Sequence, residues 1–148
     1  MKIAISCDHG GYNLKGAILK HLDEMKIDYT DFGCFDTASC HYPEYAIAAC
    51  SAVTGGDCDY AILVCSTGIG MSMTANKCVG IRAACCSDTY SARFTRLHNN
   101  ANVLCMGEKI VGPGLALDMV DLFLSSEYEG GVRHDIRVGM IMDLDKSK

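Results

Sequence analysis

Short apolar runs alternate along the chain with stretches in which apolar residues recur every three or four positions. Lys2–Cys7 reads as a first buried strand, and Asn13–Met25 follows with Leu14, Ala17, Ile18, Leu22 and Met25 on one helical face. Ile27–Phe32 is a short second strand stopped by Gly33. Pro43 opens a helix through Tyr45, Ala46, Ala49 and Val53, which Gly55 and Gly56 end. Tyr60–Val64 is apolar throughout, as expected of a strand covered on both faces. A glycine-bearing turn, Cys65–Gly70, leads into a short helix from Met71 to about Asn76. Ile81–Cys85 is a fourth strand, Asp88 caps a helix to about Leu97, and Val103–Met106 is a fifth strand. Helices over Pro113–Leu124 and Arg133–Leu144 close the chain. Strand and helix alternate throughout, which predicts an α/β fold: a five-stranded parallel sheet with helices on both faces, in three layers, plus an extra C-terminal helix. No linker or repeat interrupts the pattern, so residues 1–148 read as a single domain.

The formal net charge of -5 argues against broad nucleic-acid binding, which needs a basic stripe to release counterions. It leaves room for a small anion held by a few converging arginines. Ten cysteines are many for 148 residues. They lack paired C-x-x-C spacing, so a zinc site is not expected. The apolar stretch before Asp8 and His9 is too short for a signal peptide, and no apolar run is long enough to span a membrane. The expectation is a cytoplasmic protein in which Cys34, Cys50, Cys58, Cys78, Cys85, Cys86 and Cys105 are small buried hydrophobes.

In a parallel sheet, ligands bind beyond the carboxyl ends of the strands. The loop after the first strand, Cys7-Asp8-His9-Gly10-Gly11-Tyr12, sets an acid beside an imidazole, although a capping Asp and a solvated His would read the same. The loop after the third strand is the strongest local signal. Cys65 sits where a buried strand ends and a helix begins, and the amides of residues 66 to 70 can form an anion-binding nest. Such a position can bring a thiol from about 8.5 to roughly 3.5–7.5. Other uses of this loop fail on residues: a C-x5-R phosphatase cradle would need arginine at Met71, and a dinucleotide G-x-G-x-x-G would need glycine at Met73. Arg133 and Arg137, four apart, share a helix face and can fork over one phosphate; on spacing alone a solvated basic face fits as well.

Taken in order, Cys7–Gly11, Tyr42-Pro43-Glu44-Tyr45-Ala46, Cys65–Ser72, Ala75-Asn76-Lys77, Gly80–Ala84, Tyr90-Ser91-Ala92-Arg93, His98–Leu104 and Glu129-Gly130-Gly131 closely resemble the ribose-5-phosphate isomerase B family, which includes galactose-6-phosphate isomerase subunits. The resemblance covers nearly the whole chain. It implies a Rossmann-like fold and a homodimer, or a tetramer built from it, with sites at the subunit interface. It implies that Cys65 is the proton acceptor and His98 the donor in ring opening; Asp8 or Thr67 is read as assisting His98 there. Asp8, His9, Tyr42, Ser66, Gly68, Ile69, Gly70, Asn99, Lys109, Arg133 and Arg137 are the implied substrate ligands, with the two arginines on the phosphate. It implies no cofactor and no metal. The chain departs from the family pattern at Ser66, usually glycine; at Lys109, often arginine; at His41, often aspartate; and at Ser87, often histidine.

The implied reaction is the interconversion of ribose 5-phosphate and ribulose 5-phosphate through a cis-enediolate. The same chemistry on allose 6-phosphate or galactose 6-phosphate is the alternative within enzymes. A non-catalytic phosphate-ligand module on the same fold is the alternative outside them.

Overall fold

The computed structural model describes residues 1–147; Lys148, the last residue of the expected domain, lies outside the described residues. The elements are β1 (Lys2–Cys7), α1 (Tyr12–Glu24), β2 (Asp28–Asp31), α2 (Tyr42–Thr54), β3 (Tyr60–Cys65), α3 (Ile69–Ala75), β4 (Ala83–Cys85), α4 (Thr89–Asn99), β5 (Val103–Gly107), α5 (Pro113–Ser125) and α6 (Val132–Asp143). Short 3-10 turns precede α1 (His9–Gly11) and follow α6 (Leu144–Ser147).

The five strands form one parallel sheet in the order β2-β1-β3-β5-β4. Side-chain alternation divides the core in two. Ile3, Ile5, Ile62, Val64, Leu104 and Met106 pack with Leu14, Ile18 and Leu22 of α1 and with Met119, Val120 and Phe123 of α5. On the other face Ala4, Ala61, Leu63, Cys65 and Cys105 meet Ala46, Ala49 and Cys50 of α2 and Met71 and Ala75 of α3. The second face is built of small residues, so α2 and α3 lie close to the sheet and the end of β3 is held between layers.

Leaving β1 the chain crosses to β2, and leaving β3 it crosses to β4 on the opposite side, so strand order reverses between β1 and β3. The loops after these strands diverge from that point and leave a crevice above their carboxyl ends.

The elements match the expected alternation, with one instructive difference. The fourth strand begins at Ala83 rather than Ile81 because side chains take up its first positions: Arg82 N–H donates to Asn102 Oδ1 at 2.8 Å, and Ala83 N–H to Asn76 Oδ1 at 2.9 Å. The expected burial of the cysteines holds for Cys34, Cys50, Cys58, Cys86 and Cys105 but not for Cys85, which is exposed, or for Cys78, which is half-buried. Strand β4 is an edge, and its last residue faces out beside the loop after β3.

Candidate active site

Strand β3 delivers Cys65 to the crevice with its side chain only 5% exposed. The following turn folds back on it. Gly68 adopts a left-handed conformation (φ 79°), and its N–H donates to Cys65 Sγ at 3.0 Å. Glycine is required twice over here. A side chain would disfavour the positive φ, and a Cβ would lie 2.8 Å from the Met106 carbonyl carbon and 2.9 Å from Cys85 Sγ. The β5 loop clamps the same turn: Glu108 N–H donates to Cys65 O at 2.8 Å and Lys109 N–H to Ser66 O at 3.1 Å.

The β1 loop closes the crevice from the other side. Asp8 is buried, its N–H bonds Val64 O at 3.1 Å, and its Oδ1 accepts the Gly10 N–H at 2.8 Å. Gly10 lies against Ser66, where a Cβ would come within 2.2 Å of the hydroxyl oxygen and oblige that side chain to turn away. His9 is exposed beside them. Its Nδ1 accepts the Cys40 N–H at 3.3 Å, which leaves Nε2 as the nitrogen that carries the proton and can donate to an anion. Thr67 Oγ1 accepts the Ile69 N–H at 3.3 Å, and the Tyr42 ring packs on Gly70. Asp8, His9, Tyr42, Ser66, Thr67, Gly68, Ile69, Gly70 and Lys109 are therefore gathered around Cys65 by three adjacent loops and the start of α2.

The remaining site residues lie elsewhere. His98 and Asn99 are in the last turn of α4, and Arg96 of that turn hydrogen-bonds Tyr60 at the start of β3 (Nη2 to Oη, 2.8 Å). Cys65 ends the same strand, five residues on, or roughly 17 Å away at strand rise. The structure does not bring His98 to Cys65 within one chain. Instead His98 stacks on His134 (4.6 Å, 13°), and its Nε2 is 3.8 Å from Glu129 Oε2. Arg133 and Arg137 are exposed on α6 next to this cluster, with Arg133 Nη2 3.4 Å from His134 Nε2. Neither arginine makes a salt bridge among the described residues. Asp135 is held instead by the Tyr128 hydroxyl at 2.9 Å.

His98, Glu129 and His134 have ligand atoms within 4.8 Å of one another. The adjacent Arg133 guanidinium weighs against a cation there and makes the cluster better suited to anions and proton transfer.

Three participants escaped the sequence reading. Glu108 accepts from Leu14 N–H (2.9 Å) and Asn13 Nδ2 (3.1 Å), tying the β5 loop to the start of α1. Cys40 sits against His9, and Glu129 against His98. Each partner is distant in sequence, and no local pattern signals it.

A family model described as Ribose/Galactose Isomerase matches residues 3–141. The chain belongs to this family. It is 45% identical over 147 residues to ribose-5-phosphate isomerase B of Escherichia coli, covering 99% of this chain and 98% of that one. It is 43% identical over 146 residues to ribose-5-P isomerase B of Listeria innocua, with 99% and 98% covered. Among solved structures, ribose-5-phosphate isomerase B of Clostridium thermocellum superposes with a TM-score of 0.97 at 48% identity, covering 99% of each chain. The Mycoplasma genitalium enzyme, solved with bound ribulose-5-phosphate, superposes with a TM-score of 0.93 at 36% identity, covering 99% of this chain and 97% of that one. Family membership agrees with the Rossmann-like parallel sheet expected from the sequence, and no helix among the described residues is long and apolar enough to cross a membrane.

Proposed function

We propose that this chain is an aldose–ketose isomerase that interconverts ribose 5-phosphate and ribulose 5-phosphate, with Cys65 as the base. The observation that carries the reading is the placement of the Cys65 thiol. It sits at the β1/β3 reversal, walled by the Asp8 loop and anchored by the Gly68 N–H at 3.0 Å. The Cys65 thiolate removes the proton from carbon 2 of the open-chain aldose. The C–H electron pair becomes the C1–C2 double bond, and negative charge moves onto the carbon 1 oxygen. Returning the proton to carbon 1, while the proton of the carbon 2 hydroxyl passes to the carbon 1 oxygen, gives the ketose. Preorganised amide donors stabilise an enediolate without reorganisation, and losing one typically costs roughly 3–4 kcal/mol; in this turn the Gly68 N–H is taken by Cys65 Sγ and the Ile69 N–H by Thr67 Oγ1.

The ring must open first. His98 donates the proton to the ring oxygen, with Asp8 and Thr67 assisting at the hydroxyls. His9, Arg133 and Arg137 hold the phosphate.

In one chain these groups are split, since Cys65 and Asp8 lie at the carboxyl end of the sheet while His98, Asn99, Arg133 and Arg137 lie toward its amino end. A homodimer in which the α4–α6 corner of one subunit faces the Cys65 crevice of the other completes the site. Tyr90, Phe94, His98 and His134 form a row of ring contacts on that corner, stacked at Tyr90–Phe94 and His98–His134 and edge-on at Phe94–His98. Alongside them α6 exposes Val132 (79%), Ile136 (57%) and Met140 (66%), and the turn after it Leu144 (65%), an apolar face suited to a twofold contact.

The direct test is incubation of the purified protein with ribose 5-phosphate and, separately, allose 6-phosphate, following ketose formation. Turnover of ribose 5-phosphate with the higher kcat/KM is the expected result. Turnover of the six-carbon sugar alone would overturn the assignment.

A further inference from the structure

The proposed isomerisation leaves three cysteines beside the crevice unused. Cys7 at the end of β1 and Cys34 just after β2 are both buried, with Sγ atoms 3.7 Å apart. Burial pushes both thiols up in pKa, most strongly Cys7, so neither meets an oxidant from solvent as a ready thiolate. Cys40 differs. It is half-buried at the far end of an exposed loop, within electrostatic reach of Cys34, and its Sγ lies 3.8 Å from His9 Nδ1. That nitrogen can take the thiol proton.

We propose that Cys40 and Cys34 form a peroxide-responsive thiol pair, in which Cys40 takes the oxidant and Cys34 resolves it. The Cys40 thiolate attacks hydrogen peroxide; an S–O bond forms, the O–O bond breaks, and hydroxide leaves, giving the sulfenic acid. The Cys34 sulfur then attacks Cys40 Sγ and displaces that hydroxyl, which leaves as water with the Cys34 proton. Two thiols and one peroxide yield one disulfide and two waters.

The freedom of the surrounding backbone, not sulfur separation, favours Cys34–Cys40 over Cys7–Cys34. A disulfide needs its sulfurs about 2.05 Å apart. Closing the Cys7–Cys34 gap would move the end of β1, which the Gly33 and Val64 carbonyls hold through the Cys7 and Asp8 N–H groups. Bringing Cys40 inward moves the exposed loop of Phe35, Asp36, Thr37, Ala38 and Ser39 and frees the Cys34 S–H from the Asp36 carbonyl, which it meets at 3.2 Å. That movement takes the Cys40 N–H and S–H away from His9 Nδ1. The predicted effect on binding rests on the reading of His9 as a phosphate ligand; the disulfide itself does not.

The experiment treats the full-length protein with hydrogen peroxide, blocks remaining thiols, and maps peptides without reduction after cleavage at Asp36, which separates Cys34 from Cys40. The expected result is a Cys34–Cys40 cross-link and a KM for ribose 5-phosphate raised roughly tenfold, the usual scale for one hydrogen bond to a charged group. Dithiothreitol should reverse both, and Cys40→Ser should show neither. Oxidation of Cys65 would instead lower kcat without raising KM. A cross-link with unchanged KM supports the thiol pair and counts against His9 as a ligand. The proposal is overturned if the cross-link joins Cys7 to Cys34, if none forms at peroxide levels that alter KM, or if Cys40→Ser responds as the wild type does.

Discussion

At the scale of single residues, the decisive feature is that Cys65 is held at both its sulfur and its carbonyl. Cys65 Sγ accepts the Gly68 N–H, and the residue's carbonyl accepts from Glu108. Its position, at the end of an apolar strand and before a glycine turn, could be read from the sequence, as could Asp8 and His9. What surrounds these residues could not. Glu108 bonds Asn13 and Leu14 across 95 and 94 positions, and Cys40 meets His9 across 31. Pairings of that range are set by how layers stack, not by local pattern. Cys65→Ser tests the base while keeping an acceptor for the Gly68 N–H. Serine's hydroxyl ionises too poorly to abstract a carbon-bound proton, so kcat should fall by roughly 10²–10⁴-fold, the usual share of a general base. The urea midpoint should stay close to wild type, and retention of wild-type kcat would remove Cys65 from the mechanism.

At the scale of elements, two turns govern whether the loops meet correctly. Gly68→Ala forces a left-handed alanine and drives a Cβ against the Met106 backbone. Unfolding in urea should show a loss of about 2 kcal/mol or more, with kcat falling as the Gly68 N–H swings off Cys65. Helix α4 begins at Asp88, which accepts the Ser91 N–H at 2.7 Å and the Ser91 hydroxyl at 2.8 Å. The Ser91 backbone bond, then its hydroxyl, hold the Asp88 carboxyl below the ordinary 3.8. A lowered folded-state value means that the charged form stabilises the fold above 3.8, and that this contribution is lost as pH falls through the folded value. Asp88→Asn keeps an acceptor but does not titrate. The Tm difference between wild type and Asp88→Asn should therefore move against the wild type only below about pH 3.8. A difference that changes between pH 5 and 8 would contradict the assignment. Periodicity placed the buried elements because strands such as β1, β3 and β5 and helices such as α1 and α5 each bury a stripe. It misplaced the start of β4, where Asn76 and Asn102 side chains substitute for backbone partners, and the exposure of Cys85, which depends on β4 being an edge.

At the scale of the whole molecule, the question is why a complete α/β sheet carries α6 at all. Both faces of the sheet are covered without it, and none of its residues is buried. It is fastened at its ends: Arg82 reaches Met142 Sδ at 3.1 Å, and the preceding Glu129 N–H bonds Leu97 O at 3.0 Å. Its apolar residues are left facing out beside His98 and the two arginines. A helix fixed in place yet unburied is explained if a second copy covers it, and the same contact would carry His98, Arg133 and Arg137 to the partner's Cys65. Subunit exchange tests this. Cys65→Ser and Arg137→Ala, each nearly inactive at substrate well below KM, are mixed under conditions that let chains reassort. If every site takes Cys65 from one chain and Arg137 from the other, each mixed dimer has one site with both residues intact and one with neither. Random pairing makes half the dimers mixed, so activity should return to about a quarter of wild type. If Cys65 and Arg137 of one site came from the same chain, every site in every dimer would carry one defect and mixing would restore nothing. Sedimentation at assay concentration provides the independent check: a fully active monomer would leave α6 without its partner and the split site without an explanation.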